Sequence, residues 1–205
     1  EIEEIKAFAH QKGVQVAPVH NYIYEAPVMR AKELIESGKL GDLVSLHVLY
    51  NIHHPEEVAA RYPGVIRQIL THHAYCTLYL VGQPELVSCM KATVNDGSVP
   101  QENLAMVTMK MRNQALSHLC ASFAADDHAG DPWTFMIKVI GTKGATRYSY
   151  RDWVENTPAV VHSQTYSAYP YTIRSVGQYF LEQVIGNQRP PLSSLDDAIT
   201  CMKII

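Results

Sequence analysis

Residues 133–149, WTFMIKVIGTKGATRYS, decide the fold, because they predict two antiparallel strands joined by a tight turn. The apolar side chains of the first strand alternate along the chain and so fall on one face: Trp133, Phe135, Ile137 and Val139. The turn sequence Gly141-Thr142-Lys143-Gly144 is typical of a hairpin. A sheet with one covered face is therefore expected in this part of the chain.

Other strands precede and follow this hairpin, and turn residues separate them. The strands are predicted at 86–94, 103–111, 114–124, 133–141 and 144–150, with a further short strand at about 158–164. Two of the turns are Asn95-Asp96-Gly97 and Arg112-Asn113. Short turns between consecutive strands favour antiparallel pairing.

Helices surround this run of strands. Apolar residues recur with helical spacing at 2–12, 26–37, 65–81 and 173–186, and Ser194 with Asp197 predicts the start of a last helix as a capping pair. An isolated strand is predicted at 42–52 and a loop at 52–63. The order predicts an α+β fold, a mostly antiparallel open sheet with helices on one face. The other face must meet water or another subunit, so a homo-oligomer formed through that face is expected.

The first nineteen residues predict a different kind of unit. The helix at 2–12 stops at Gly13, and a short strand follows at Val14–Val19. One such helix-then-strand step is typical of the edge of a parallel sheet, and it cannot bury its own faces. We therefore interpret residues 1–19 as the remnant of a second, Rossmann-like domain that continues upstream, and 20–205 as a separate domain.

Composition excludes several classes of function. The formal net charge is −3 and the pI is about 6.4, which argues against nucleic acid or an anionic membrane as partner. No apolar run approaches the ~20 residues of a membrane-spanning helix, and the acidic N-terminus is unlike a signal peptide. The four cysteines form no C-x-x-C motif, so reduced thiols in a cytoplasmic protein are expected.

The helix at 65–81 carries the polar residues of most interest. At about 100° per residue, its apolar face holds Ile66, Leu70, Ala74, Thr77 and Val81, with His73 among them. The opposite face holds a stripe of Gln68, His72, Tyr75 and Tyr79. A solvated face would more often carry Lys and Glu, so both a solvated face and the wall of a cleft stay open as interpretations. The 12 Tyr and 10 His suit a polyhydroxylated ligand, although Tyr is also common in sheets.

The sequence gives little support for a metal-binding site or for a hydrolase active site. His53-His54 and His72-His73 could supply imidazoles, but no H-x-x-x-H or H-E-x-x-H pattern and no Cys pair occurs, so no metal site is predicted. The G-x-S-x-G motif of serine hydrolases is absent as well.

Several segments, in order, resemble the Gfo/Idh/MocA family of nicotinamide-dependent sugar and polyol oxidoreductases. They are Val16-Ala17-Pro18-Val19, the helix ending Glu33-Leu34-Ile35-Glu36-Ser37-Gly38-Lys39-Leu40-Gly41, the helix ending Leu80-Val81-Gly82-Gln83-Pro84, the hairpin Ile140-Gly141-Thr142-Lys143-Gly144, and Leu192-Ser193-Ser194 with Asp196-Asp197-Ala198. The resemblance covers the whole chain.

The resemblance implies hydride transfer at a sugar or polyol carbon with NAD or NADP. The cofactor would bind mainly to a dinucleotide-binding domain, of which 1–19 is a remnant, since no G-x-G-x-x-G occurs here. Residues 20–205 would then bind substrate and assemble subunits. The family's histidine ten residues before the helix-ending glycine corresponds to His72, a general acid or base. The expected substrate-binding residues are Gln68, Tyr75, Tyr22, Tyr24, His53, His54 and Arg67.

The chain also departs from the family pattern. Gln68 stands where the family usually has Asp, and Tyr75 where a second acid is frequent. The lysine of the family's Glu-Lys-Pro motif would lie upstream, and Tyr22 and Tyr24 stand where an arginine is common. Two alternatives therefore stay open: an NAD-dependent glycosidase that works by transient oxidation on the same fold, and a non-catalytic assembly or binding module.

Overall fold

The structure, a computed structural model, describes residues 1–94, 101–125, 134–149, 152–157, 160–165 and 170–205, with the backbone alone for 152–157, 160–165 and 170. The predicted turn at 95–97 and Trp133 lie outside the described residues.

An eight-stranded open sheet forms the centre of the molecule, in the order β2-β3-β4-β1-β5-β6-β7-β8. Its strands are β1 (Leu43–Asn51), β2 (Pro84–Ala92), β3 (Leu104–Met111), β4 (Leu116–Ser122), β5 (Thr134–Gly141), β6 (Ala145–Ser149), β7 (Asp152–Thr157) and β8 (Val160–Thr165). Every neighbouring pair is antiparallel except β1 with β4, which is parallel. The predicted mostly antiparallel open sheet is thus confirmed.

The hairpin that decided the fold forms as predicted. Ile140 pairs with Ala145, and the Gly141 N–H donates to the Gly144 carbonyl at 2.8 Å. A Cβ on Gly141 would lie 2.2 Å from the Leu40 carbonyl oxygen, so only glycine fits where the two chain segments meet. The strand predicted at about 158–164 corresponds to β8, whereas β7 was missed.

Six α-helices, a 3₁₀ helix and two π-helical turns are present in the described residues. They are α1 (Ile2–Lys12), the 3₁₀ helix Asn21–Tyr24, α2 (Ala26–Glu36), α3 (Glu56–Ala59), the π-helical turn Ile66–Leu70, α4 (Thr71–Leu80), α5 (Pro170–Tyr179), the π-helical turn Phe180–Gly186 and α6 (Leu195–Ile204). The region 52–63, predicted as a loop, therefore contains the short helix α3. Pro55 precedes two acidic residues there, a favourable helix start.

The predicted strand at Val14–Val19 is wrong for this structure, where the segment is irregular. A strand needs a neighbour for its backbone N–H and C=O groups, and the described residues place none beside it. The segment is held by a side chain instead, since the Ser193 hydroxyl donates to the Pro18 carbonyl at 2.6 Å.

The core lies between one face of the sheet and the helices. Leu46, Val48 and Tyr50 of β1 are buried in it, as the alternation of apolar residues at 44, 46, 48 and 50 in the sequence predicts. Val44, predicted on the same face, is 49% exposed because the β1–β5 register shifts between Leu43 and Ser45, which interrupts the alternation. On β3 the buried face holds Ala105, Val107, Met109 and Met111.

The opposite face of the sheet carries an apolar row across five strands. Directly paired residues point to the same side of a sheet, and successive pairs join Met90, Met106, Cys120, Leu49 and Met136. Met90 is 80% and Met106 46% exposed. On β3, Met106 therefore lies on the uncovered face, opposite to Ala105, Val107, Met109 and Met111.

Candidate active site

The helix with the predicted polar stripe begins at a π-helical turn that a glutamate holds. The Ile66 N–H donates to Oε1 of Glu102 at 3.2 Å, and the Val65 N–H donates to the Glu102 carbonyl at 3.0 Å. Both donors belong to the start of the helix, where backbone N–H groups lack a partner within it. Glu102 thereby positions the start of the helix that carries His72.

The polar stripe is covered by protein rather than solvated. Tyr75 is only 2% exposed, and its hydroxyl donates to the Ser194 carbonyl at 3.1 Å. Tyr79 is half-buried. The 3₁₀ helix and α6 both pack on α4, which explains why this side does not face open solvent. The solvated-face interpretation of the stripe is therefore wrong.

His72 stands beside two rings from the segment before α2. The His20 ring lies edge-on to it with centroids 5.9 Å apart, and Tyr22 packs against it at 5.3 Å. His20 also stacks on Tyr75, with centroids 3.5 Å apart and planes 18° from parallel. The four rings of His20, Tyr22, His72 and Tyr75 form one group, which we call the imidazole cluster.

The imidazole cluster packs on the sheet through Phe135 of the central strand β5. Tyr22 stacks on the Phe135 ring, with centroids 4.4 Å apart. Three elements, the 3₁₀ helix, α4 and β5, thus converge here. Tyr22, His72 and Tyr75 are thus held on regular structure, whereas His20 comes from the irregular segment before the 3₁₀ helix.

Burial keeps the imidazoles of the cluster neutral. It lowers the pKa of His72, and burial together with the neighbouring His72 lowers the pKa of His20 to about 3. Both rings are therefore uncharged at neutral pH. A neutral imidazole has one nitrogen that donates and one that accepts a hydrogen bond.

One nitrogen of each imidazole is buried without a protein partner. Nδ1 of His72 and Nδ1 of His20 make no hydrogen bond and are shut off from solvent. A buried polar atom without a partner costs about 1–3 kcal/mol. A ligand group that reached these nitrogens with a donor or acceptor of its own would remove that cost.

His73, the next residue, has a different environment. It is fully buried, with Tyr50 and Phe135 near its ring, as its predicted place on the apolar face requires. Burial and His72 lower its pKa to about 3. The two adjacent histidines thus face different surroundings, as their helical spacing predicted.

Other predicted site residues stand apart from the cluster or contribute no described side-chain contact. The Tyr24 hydroxyl hydrogen-bonds with the Ser193 hydroxyl at 3.2 Å, and its ring packs on Tyr179. Arg67 is exposed, and its carbonyl accepts a hydrogen bond from the Thr71 hydroxyl at 2.8 Å. Gln68 is half-buried on the π-helical turn.

His53 and His54 line a separate cavity. The walls of that cavity also include Glu56, Asn103 and Phe123. The His54 ring lies 4.5 Å from Phe123 and 5.5 Å from Tyr62, centroid to centroid. No described contact joins either histidine to the imidazole cluster, so these two predicted substrate-binding residues lie apart from it.

His20 is the cluster residue that sequence reasoning missed. It comes directly after Val14–Val19, at the point where a strand was predicted to end. Ligands of open α/β sheets bind outside the carboxyl ends of the strands. That position is the signal in the sequence that points to His20.

Among the described residues, no group of three or more His, Cys, Asp or Glu could hold a metal ion. None of the helices described is both long enough and apolar enough to cross a membrane.

A family model, the GFO/IDH/MocA C-terminal domain, matches residues 28–147. The chain belongs to the Gfo/Idh/MocA family. One curated relative, scyllo-inositol 2-dehydrogenase (NADP(+)) IolW of Bacillus subtilis (strain 168), is 33% identical where aligned, over 42% of this chain and 26% of that protein. Another, the uncharacterized oxidoreductase YhhX of Escherichia coli (strain K12), is 36% identical over 31% of this chain and 18% of that protein.

Solved structures show the same fold. An oxidoreductase from Agrobacterium radiobacter in complex with NAD+, L-tartaric acid and magnesium has a TM-score of 0.82 at 13% identity, covering 99% of this chain and 64% of that one. The WlbA dehydrogenase from Bordetella pertussis, in complex with NADH and UDP-GlcNAcA, has a TM-score of 0.74 at 16% identity, over 98% of this chain and 63% of that one. The Gfo/Idh/MocA chain described here thus spans less than two thirds of either.

Proposed function

We propose that this chain is the substrate-binding domain of a nicotinamide-dependent oxidoreductase that acts on a sugar, a polyol or a derivative. Residues 1–19 would belong to its dinucleotide-binding domain and 20–205 to the substrate domain. The observation that carries the proposal is His72: it stands ten residues before Gly82, matches the family's histidine, and is neutral with a buried, unpartnered nitrogen.

NAD or NADP is the proposed cofactor. One relative is named for NADP(+), and two structural neighbours hold NAD+ or NADH. When bound, the nicotinamide supplies or accepts the hydride. The dinucleotide phosphates would be held upstream, because this sequence lacks the glycine turn that binds them. The residues present fit the substrate side of such a site, since the rings against His72 are uncharged and offer hydrogen-bonding groups.

His72 would bind the reacting hydroxyl. Its lowered pKa leaves it neutral at pH 7, so it can accept a hydrogen bond from the hydroxyl substrate in oxidation and donate one to the carbonyl substrate in reduction. Gln68 and Tyr75 offer no carboxylate to stabilise an imidazolium. The proton would therefore be shared with the family's lysine, which lies upstream in the family pattern.

The test is turnover by the full-length protein that contains this chain. NAD and NADP would each be supplied with inositols, hexoses and sugar acids, and cofactor reduction followed by absorbance. We expect turnover of at least one compound, and a loss of about 10²–10⁴-fold in His72→Ala, the usual share of acid–base catalysis. The control is His10→Ala, an exposed histidine on α1. Full activity in His72→Ala would contradict the proposed role.

A non-catalytic binding module is the second candidate, and one observation favours it. Both positions where the family usually has an acid near the histidine hold neutral residues, Gln68 and Tyr75. A module of this kind would bind a polyol without reducing any cofactor. The same panel, followed by calorimetry for each compound that is not turned over, separates the two functions.

We further propose that two copies pack through the uncovered sheet face. The apolar row from Met90 to Met136 crosses five strands, and Leu116 on the same face is 52% exposed. Contiguous apolar surface of this kind commonly marks an interaction site. A second copy would cover it with the two-fold symmetry most common in homo-oligomers.

A further inference from the structure

The imidazole cluster holds two histidines with matching properties, of which His72 alone has a role in the proposed function. Both are neutral, both have a buried Nδ1 without a partner, and their rings lie 5.9 Å apart. Nδ1 of His20 has no hydrogen-bond partner within the described residues. A second hydrogen-bonding group thus stands next to the first.

The place of His20 is fixed by several contacts. Its ring stacks on Tyr75, and the Tyr75 hydroxyl is anchored to the Ser194 carbonyl. Two residues before it, the Pro18 carbonyl accepts a hydrogen bond from the Ser193 hydroxyl. Ser193 and Ser194, the two residues before α6, therefore fix the position of His20 in two ways. Ser193 holds the Pro18 backbone, and Ser194 holds the Tyr75 ring on which His20 stacks. A ring held in this way loses little conformational entropy when a ligand binds.

We propose that His20 is a second substrate-binding residue, and that His20 and His72 together select compounds with two neighbouring hydroxyl groups. The inference rests on the proposed function, because it places the reacting hydroxyl on His72. The neighbouring hydroxyl then lies on His20. The two imidazoles together would bind an adjacent diol more tightly than a compound with a single hydroxyl.

The chemistry of the two partners is complementary. A hydroxyl can both donate and accept, and each neutral imidazole offers one donor and one acceptor nitrogen. A diol can therefore satisfy both rings without any change of charge. A compound with one hydroxyl leaves the second imidazole without a partner. A site built to bind a hydroxyl rejects analogues that lack it, because its own polar group then stays unsatisfied.

The test uses the full-length protein with NADH, in whose presence a polyol cannot be oxidised, and measures binding by calorimetry. The probes are myo-inositol, in which every hydroxyl has a neighbour, and cyclohexane-1,4-diol, in which none has. His20→Phe keeps a ring to stack on Tyr75 and removes both nitrogens. We expect it to weaken myo-inositol binding about tenfold, the equivalent of about 1.4 kcal/mol, and to leave the weak binding of cyclohexane-1,4-diol unchanged.

Two further variants make the result specific. His20→Gln keeps a donor and an acceptor and should recover part of the myo-inositol affinity, which a purely structural role would not produce. His10→Phe, at an exposed histidine of α1, should change neither probe. Equal melting temperatures of the three variants exclude misfolding.

The inference is overturned if His20→Phe binds myo-inositol as tightly as the unaltered protein, or if the unaltered protein does not prefer myo-inositol over the 1,4-diol. Binding is measured without turnover. A protein that binds myo-inositol through His20 and reduces no cofactor would therefore contradict the proposed oxidoreductase function and leave the diol site standing. In a protein that does turn over, His20→Phe should raise KM more than it lowers kcat.

Discussion

At the scale of single residues, the adjacent histidines His72 and His73 of α4 have different surroundings. His72 points toward the rings of His20 and Tyr22, whereas His73 points into the core beside Tyr50. Adjacent residues of a helix point about 100° apart, which is enough to separate a candidate binding group from a structural one. The lowered pKa of each has the same main cause, burial.

Replacement of His73 should change the free energy of unfolding and leave substrate turnover unchanged. Neither of its ring nitrogens has a partner in the described residues, so His73→Leu should unfold no more easily than the unaltered protein. His73→Ala instead leaves a cavity and should lower the free energy of unfolding by about 2–4 kcal/mol. Denaturant unfolding at neutral pH measures both.

The same pair of variants has a pH dependence with a defined sign. The folded-state pKa of His73 is about 3 and its usual value is 6.5, so the unfolded chain takes up the proton first. Stability from this residue is therefore lost as pH falls below 6.5. The advantage of His73→Leu over the unaltered protein should grow toward acid pH. An advantage that is constant with pH would show that His73 is not buried in its neutral form.

Glu25 should give the opposite trend. It is 5% exposed, burial raises its pKa from 4.5 to about 7, and the hydrogen bond from the Tyr148 hydroxyl, 3.1 Å away, acts in the other direction. The folded state holds this proton more tightly, so stability falls as pH rises from 4.5 through 7. Glu25→Gln, which can still accept from Tyr148, should remove that decline.

Thermal unfolding from about pH 5 to pH 8 measures the effect. Glu33→Gln, at an exposed carboxylate of the same helix that pairs with Arg30, is the matched control and should follow the unaltered protein. If Glu25→Gln keeps the full decline, Glu25 is not the group responsible.

Sequence reasoning recovered part of the candidate site. His72, Tyr75 and Tyr22 were predicted, and the structure brings them into one cluster. Tyr75 and His72 share a helix face, which spacing alone determines. The contact of His20 with that face joins residues 55 positions apart in the sequence, and no local pattern encodes it.

At the scale of elements, helix ends were predicted better than helix interiors. Ser194 and Asp197 form the reciprocal capping box that the sequence indicated. Gly13 ends α1 with a φ of 64°, in the left-handed region that glycine tolerates best. The segments 65–81 and 173–186 were each predicted as one α-helix, but each contains a π-helical turn. An apolar pattern is too coarse to show one extra residue in a turn.

The Ser194 cap offers a test at this scale. Its hydroxyl accepts from the Asp197 N–H at 3.1 Å, and its carbonyl accepts from Tyr75. Ser194→Ala removes the first bond and keeps the second, so it should lower the free energy of unfolding by about 0.5–2 kcal/mol. Thr200→Ala, which removes a hydroxyl bonded to the Asp196 carbonyl on the same helix, should cost less. An equal loss of unfolding free energy in the two variants would show that the Ser194 cap stabilises the protein no more than the Thr200 hydrogen bond does.

At the scale of the whole molecule, the strands could be predicted and their order could not. Alternation located β3, β4, β5 and β6 within a few residues. The insertion of β1 between β4 and β5 depends on contacts between distant parts of the chain. The strand predicted at 14–19 is absent for a related reason, because a strand forms only where a neighbouring strand can pair with it.

The uncovered sheet face predicts self-association. Met106 lies on the apolar row of that face, so Met106→Lys places a charge where a second copy would pack. We expect light scattering to show a dimer or larger for the unaltered protein and a smaller species for the variant. Leu181→Lys changes a leucine that is 64% exposed outside the sheet and should leave the assembly unchanged. A monomer at high micromolar concentration would contradict the proposed interface.

The most direct measurement is a crystal structure of the full-length protein with a nicotinamide cofactor and a polyol that it turns over. Two places are proposed for the polyol: the imidazole cluster around His72, and the separate cavity of His53, His54 and Phe123. We expect a substrate oxygen within hydrogen-bond distance of an imidazole nitrogen of His72. A polyol bound against His53 and His54, with no contact to His72, would contradict the assignment of the active site.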